Sequence, residues 1–299
     1  MNKKSKKINK NMIILVLFII IVVAISVAIK MKNQGNSALA SAEEKRIAEE
    51  QRIEEEKKKK EEEERIERER KEQEEKARKE KEKAEEQNAT GVIYLTFDDG
   101  PSADSTPQIL DILKANDIKA TFFVLHYSEE NEHLIKREQA EGHKIALHGY
   151  SHTYSEIYKS ADTALNNFIK IQEQVYQTTG EKSNIIRFPG GSSNTVSRKY
   201  CPGVMTELTK RVVDNGFRYF DWNVDSGDAT KPKNSDVVYN NFIKGLKPNR
   251  NNVVLMHDFT KNTPTIGALQ RVINYGKQNG YVFRKISDET PMVTHSVNN

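Results

Sequence analysis

A single cysteine, Cys201, stands among the 299 residues, so no intrachain disulfide can form. A disulfide-stapled scaffold is excluded, and either a reducing compartment or a disulfide-free extracellular one fits. No reactive context surrounds Cys201, which reads as a small buried residue and not as a nucleophile. Glycine, proline and aspartate are all absent between Glu43 and Gln87. That absence removes every strong helix breaker from the segment. An excess of positive charge is lacking too, although the formal net charge is +4. Lys3, Lys4, Lys6, Lys7, Lys10, Lys30 and Lys32 all flank the first apolar run. Without them the balance is slightly acidic, so no nucleic-acid partner is expected.

What is present begins with Met12 to Ile29, an apolar run without a charge. Crossing a bilayer takes about 20 apolar residues, with a range of ~17–25, so this run is just long enough. The lysines ahead of it predict a cytoplasmic N-terminus and place everything after residue 32 outside. A cleaved signal peptide is the rival reading, with Ala38-Leu39-Ala40 as its site. Signal-peptide cores run only about 7–15 residues, however, which favours a retained anchor. Glu43 to Gln87 is almost wholly Glu, Lys, Arg and Gln. Glu–Lys and Glu–Arg pairs four apart add a few tenths of a kcal/mol each to a helix. Ile47, Ile53 and Ile66 are too sparse for a heptad seam. The segment reads as a helical spacer of roughly 65–70 Å, at about 1.5 Å per residue, or as a disordered charged linker. The expected divisions are 1–32 for basic tail and transmembrane anchor, 33–89 for spacer and 90–299 for the globular domain.

In the globular part, strand-like and helix-like segments alternate. Strands read at 91–97, 119–125, 144–149, 184–189, 217–224, 252–257 and 281–286. Helices read at 105–116, 129–141, 161–179, 203–215, 235–246 and 265–279. Helices end on Gly or Asn, as in Asn215-Gly216 and Asn279-Gly280, which suits a left-handed cap. The alternation predicts an α/β fold, a barrel-like closure of about seven parallel strands with outer helices. Chemistry in such folds sits at the C-terminal strand ends.

Polar residues do collect at those ends. Asp98 and Asp99 close the first strand ahead of Gly100-Pro101. On an extended backbone they point to opposite sides. His148 and His152, four apart, can share one metal ion. Arg187 precedes Phe188-Pro189-Gly190-Gly191, a turn whose N–H groups can face a ligand oxygen. Asp225 and Asp228 follow the fifth strand, and His257 and Asp258 end the sixth. His126, His133, His143 and His295 fall outside this set and read as surface residues.

Residues 91–286 resemble the NodB-like polysaccharide deacetylase domain of carbohydrate esterase family 4. Thr96-Phe97-Asp98-Asp99-Gly100-Pro101 matches its first motif and is highly specific. His148 to His152 matches the second, Arg187 to Gly191 the third, Asp221 to Ala229 the fourth and Val253 to Asp258 the fifth. The resemblance implies a distorted (β/α) barrel. It also implies Asp98 as general base, and Asp99, His148 and His152 as ligands of a divalent metal, usually zinc. Arg187 orients the base, Asp228 partners His257 as general acid, and Leu255 lines a pocket for the acetyl methyl. Pro189 and Gly190 belong to the substrate-binding turn, with the Gly190 N–H as an oxyanion donor.

Three departures stand out. Gly149 replaces the usual hydroxyl residue of the second motif, Gly190 a tyrosine of the third, and Ala229 a tryptophan of the fourth. Trp222 either refills that last space or packs in the core. The reading that follows is a membrane-anchored hydrolase acting on a cell-envelope glycan. Peptidoglycan N-acetylglucosamine is the expected substrate, at the outer face of a Gram-positive bacterium. A chitin-type or poly-N-acetylglucosamine deacetylase, an O-acetyl xylan esterase, or a non-catalytic glycan-binding protein are the alternatives.

Overall fold

The computed structural model describes residues 10–230 and 234–299. Lys3, Lys4, Lys6 and Lys7, on which the expected orientation rests, lie outside the described residues. The chain divides into two units, Met1–Glu80 and Lys81–Asn299. A single helix, α1 (Lys10–Asn88), runs through the first and enters the second. Its apolar stretch is long enough to cross a membrane and is not covered by protein. Farther along, arginines pair with glutamates three and four residues away, for example Arg70 with Glu67 at 2.8 Å and Glu74 at 2.7 Å. Such exposed pairs each contribute only tenths of a kcal/mol. Within the second unit, Arg284 pairs with Glu85 at 2.7 Å and Glu86 at 3.2 Å on the last turns of α1.

Eight parallel strands build one sheet. They are β1 (Gly91–Asp98), β2 (Thr121–Leu125), β3 (Lys144–Gly149), β4 (Ile185–Ile186), β5 (Arg218–Tyr219), β6 (Val224–Asp225), β7 (Asn251–His257) and β8 (Tyr281–Phe283). The helices between them are α2 (Thr106–Ala115), α3 (Glu132–Ala140), α4 (Tyr154–Ile157), α5 (Ala161–Thr179), α6 (Val204–Asp214), α7 (Ser235–Gly245) and α8 (Thr263–Gln278). The spatial order is β5-β4-β3-β2-β1-β7-β6, with β8 beside the first half of β1. The expected strand at 217–224 is two short strands at opposite ends of this order. Between them the barrel is open, which is where its distortion lies. Phe220 N–H still bonds to the Ile186 carbonyl of β4, but Asp221 turns the chain away, its N–H bonding to the Val293 carbonyl of the C-terminal segment.

Alternation along β1 sorts the core into two layers. Ile93, Leu95 and Phe97 face the helices and join the large cluster with residues such as Leu110, Phe168 and Val272. Val92 and Tyr94 face inward with Phe123, Ala146, Ile185, Phe220, Val253 and Ile286. Thr96 and Asp98 continue that inner face towards the C-terminal rim. Leucine- and isoleucine-rich faces of α2, α5 and α8 cover the outer layer, and burying each such side chain stabilises by about 1.5–3 kcal/mol. Cys201 is half-buried against this layer, not fully inside it.

Candidate active site

Parallel strands bring their C-terminal ends to one rim, and the register fixes who meets whom there. Asp98 lies beside His257 on β7 and Phe123 on β2. Asp99 does not continue the strand. Its backbone is left-handed, with φ of 76°. The extended backbone that would send the carboxylates to opposite sides thus ends before Asp99: Asp98 Oδ2 is 3.9 Å and Asp99 Oδ1 3.5 Å from the same His148 Nε2.

Arg187, at the end of β4, is wholly buried. Its Nη1 donates to Asp98 Oδ1 and to Thr96 Oγ1, both at 2.7 Å. Nε and Nη2 donate to the carbonyls of Phe220 and Asp221 at 3.0 Å. The guanidinium also lies 4.1 Å above the Phe123 ring. Every face of this buried cation is therefore matched. Burial pushes the Asp98 carboxyl above the usual carboxylate range, against the pull of Arg187 and His257.

Asp99, His148 and His152 offer ligand atoms within 4.8 Å of one another. His148 Nδ1 is 2.9 Å from the Arg187 carbonyl and must donate to it. Burial lowers the His148 pKa to about 3, so the imidazole is neutral. Its Nε2 lone pair then faces Asp99 Oδ1, a buried oxygen without a hydrogen-bond partner. His152 Nε2 stands 3.8 Å from the same oxygen. Acceptors converging on a common point repel unless a cation lies between them. A divalent cation fits this donor set.

Opposite these groups, His257 Nδ1 meets Asp228 Oδ1 at 2.7 Å. Asp228 Oδ2 accepts from His257 N–H, Asn262 Nδ2 and Thr265 Oγ1 at 2.8, 2.8 and 2.5 Å. Burial opposes charge on the imidazole, but Asp228 outweighs it and raises the His257 pKa to about 9. Nδ1 being engaged, Nε2 is the nitrogen left for the mouth. Leu255 is buried on the inward face of β7 with Val253 and His257. Pro189 accepts a hydrogen bond from the buried Tyr158 hydroxyl at 2.7 Å, which fixes the turn before Gly190. Gly190 is exposed, and among the described residues no acceptor takes its N–H. All ten expected residues thus gather at the rim or line its turn.

The polysaccharide deacetylase family profile matches residues 85–202. A peptidoglycan-N-acetylglucosamine deacetylase of Bacillus cereus is 32% identical over 206 residues, 67% of this chain and 70% of that protein. The chain belongs to the polysaccharide deacetylase family. Among solved structures, the catalytic domain of a peptidoglycan N-acetylglucosamine deacetylase from Eubacterium rectale superposes with a TM-score of 0.66 at 42% identity, over 70% of this chain and 94% of that one. A family 4 carbohydrate esterase from Streptococcus mutans gives 0.58 at 28% identity, over 68% and 89%.

Two of this deacetylase's departures have visible counterparts. A side chain at Gly149 would meet Asn167 Nδ2 at 2.3 Å, and its φ of 134° strains any other residue. Asn167, on α5, supplies the missing support, because its amide bonds both N–H and carbonyl of Ser151 at 2.8 and 3.0 Å. A Cβ on Gly190 would come within 2.2 Å of the Tyr154 hydroxyl. Trp222 is half-buried against the inner cluster, with its ring edge at Gly191.

Some residues lay outside the expected set. Asn262 and Thr265 hold Asp228, and their position at the start of α8 was their only sequence signal. Thr96 was legible in principle, two residues before Asp98 on the same strand face. Asp221, buried, accepts from Ser192 N–H, Ser192 Oγ and His295 N–H, tying the Gly190 turn to the C-terminal segment. Two histidines expected at the surface are not there. His143 is buried, its Nδ1 accepting from Ala120 N–H at 3.0 Å, and burial lowers its pKa to about 4. His295 is half-buried and bonds the Trp222 carbonyl at 2.6 Å.

Proposed function

We propose that this deacetylase removes N-acetyl groups from a cell-envelope glycan, with peptidoglycan N-acetylglucosamine as substrate. One observation carries the reading. A buried carboxylate, a convergent acceptor set and a carboxylate-paired histidine share one rim. Asp99, His148 and His152 would hold a divalent cation, zinc in our reading, which when bound would acidify a water and polarise the acetyl carbonyl. Asp98 accepts the proton of the attacking water. Its burial makes it a stronger base than an exposed aspartate, and Arg187 keeps it charged and fixed in direction. The Gly190 N–H donates to the carbonyl oxygen as negative charge develops there. His257, protonated at neutral pH, gives the Nε2 proton to the nitrogen as the C–N bond breaks. Acetate and a free amino sugar leave. Leu255 faces the acetyl methyl.

The apolar part of α1 serves as a retained membrane anchor, residues 1–32 including the basic tail. Residues 33–89 act as spacer, and the catalytic domain at 90–299 lies outside, at the wall of a Gram-positive cell. A fixed external enzyme suits a fixed neighbouring polymer.

The test compares Asp98→Asn with Asp99→Asn by metal content and acetate release from N-acetylated peptidoglycan. Asp98→Asn keeps metal and stays inactive at any zinc concentration. Asp99→Asn binds metal weakly and regains part of its rate in excess zinc. Normal turnover by both variants would sink the deacetylase reading. Metal loss from Asp98→Asn with retention in Asp99→Asn would exchange the two roles.

A further inference from the structure

Helix α4 is a single turn that opens on Tyr154 and is capped by Tyr158 just after it, and both tyrosines reach the Pro189–Gly190 turn. Tyr158 is buried and spends its hydroxyl on the Pro189 carbonyl. Tyr154 is half-buried, and its hydroxyl touches the space above Gly190, where only a hydrogen fits. Its ring stands edge-on to His152, centroids 5.6 Å apart, and to Tyr158 at 5.4 Å. Among the described residues, no protein group takes the Tyr154 hydroxyl. The phenol thus sits between a candidate metal ligand and an exposed N–H that also lacks a protein partner. Neither donor is closed off from the mouth of the site, so both are open to a ligand. Two unsatisfied donors side by side on one rim point to one oxygen atom as their common acceptor.

We propose that Tyr154 is a substrate-contacting residue: its O–H donates, beside the Gly190 N–H, to the acetamide oxygen, and its ring walls the sugar in. This rests on the deacetylase reading and adds a residue that no motif contains. Two donors share the charge that develops on that oxygen during attack, so losing one weakens the transition state more than the ground state. The ring acts differently, because a wall is present before and after the attack. Its loss weakens ground-state binding and raises KM.

The test uses the full chain loaded with zinc, and N-acetylglucosamine oligomers as substrate. Tyr154→Phe keeps the ring and removes the donor. It is expected to lower kcat by about tenfold to a hundredfold with KM changed less than threefold. Tyr154→Ala is expected to lower kcat equally and also to raise KM by about tenfold. Metal content and thermal midpoint of Tyr154→Phe stay at the wild-type values. Calorimetry adds a readout independent of turnover. In the inactive Asp98→Asn background, Tyr154→Ala weakens oligomer binding about tenfold. Wild-type kcat in Tyr154→Phe would overturn the donor role. Loss of metal in Tyr154→Ala, with oligomer affinity intact in the Asp98→Asn background, would make the ring a prop for His152 only. A wild-type protein that releases no acetate would instead count against the proposed function itself.

Discussion

Replacing Asp228 by asparagine changes one atom and tests the acid directly. Asp228 Oδ2 already receives three donors, from His257 N–H, Asn262 and Thr265. An amide at this position keeps its oxygen towards them, so its NH2 meets His257 Nδ1. Nδ1 must then be the acceptor. The ring carries its only proton on Nε2 and is neutral, and a neutral imidazole is a far weaker acid than imidazolium. In the wild type, burial favours the neutral ring, but Asp228 lifts the pKa from 6.5 to about 9. At about 1.4 kcal/mol per tenfold, that rise is worth about 3 kcal/mol. A raised pKa contributes stability that is complete below pH 6.5 and is lost as the pH climbs through about 9. Asp228→Asn should lack this dependence, because the desolvation stays while the charge partner is gone. Its His257 midpoint should fall to 6.5 or below, and turnover should drop by about 10²–10⁴. Imidazole nitrogen resonances of the metal-free protein, followed against pH, measure the midpoint. Acetate release against pH measures the rate, whose alkaline limb should disappear from the region of 9. An unchanged midpoint in the variant would refute the coupling, and an unchanged rate would remove His257 as the acid.

Arg187→Met strips the buried partner from Asp98 while nearly keeping volume. We expect a loss of about 3–5 kcal/mol in urea denaturation at pH 7, because an uncompensated buried charge remains. The loss should shrink at low pH, where protonated Asp98 no longer needs the cation; a difference independent of pH would contradict this. For topology, external protease on intact cells should free the catalytic domain and leave the first residues in the membrane. A mature N-terminus at Ser41 would contradict the retained anchor.

Much of the site was legible because its residues sit where local signals are strong. A β-branched and aromatic run ending in Asp98-Asp99-Gly100-Pro101 marks both a strand and its end. His148, Arg187 and His257 each follow an apolar stretch that can only be a buried strand, and parallel strands must deliver such ends to one rim. Helix α5 lies at 161–179 as expected, since Ser160 caps it, accepting from Thr163 N–H, and Gly180 ends it with φ of 73°. Locally encoded features of this kind need no distant partner.

Other features depend on contacts between residues far apart in the chain. Gly100-Pro101 says locally that the strand ends, but not that Asp99 turns left-handed, the turn that sets both carboxylates on His148. The apolar pattern of 217–224 continues through Asp221, but a bond to Val293 and the Ser192 and His295 donors on its carboxylate break the strand in two. His143 looks polar in sequence and is buried, its Nδ1 accepting from the Ala120 N–H. Asn167 and Tyr154 stand on helices with no motif and fill the spaces that Gly149 and Gly190 leave. The sequence by itself determined the alternation of elements, the apolar segment and the chemistry-bearing residues at the strand ends. Tertiary structure alone decided which way those side chains turn and what supports them, because hydrogen-bond partners and excluded volume come from residues tens to hundreds of positions away.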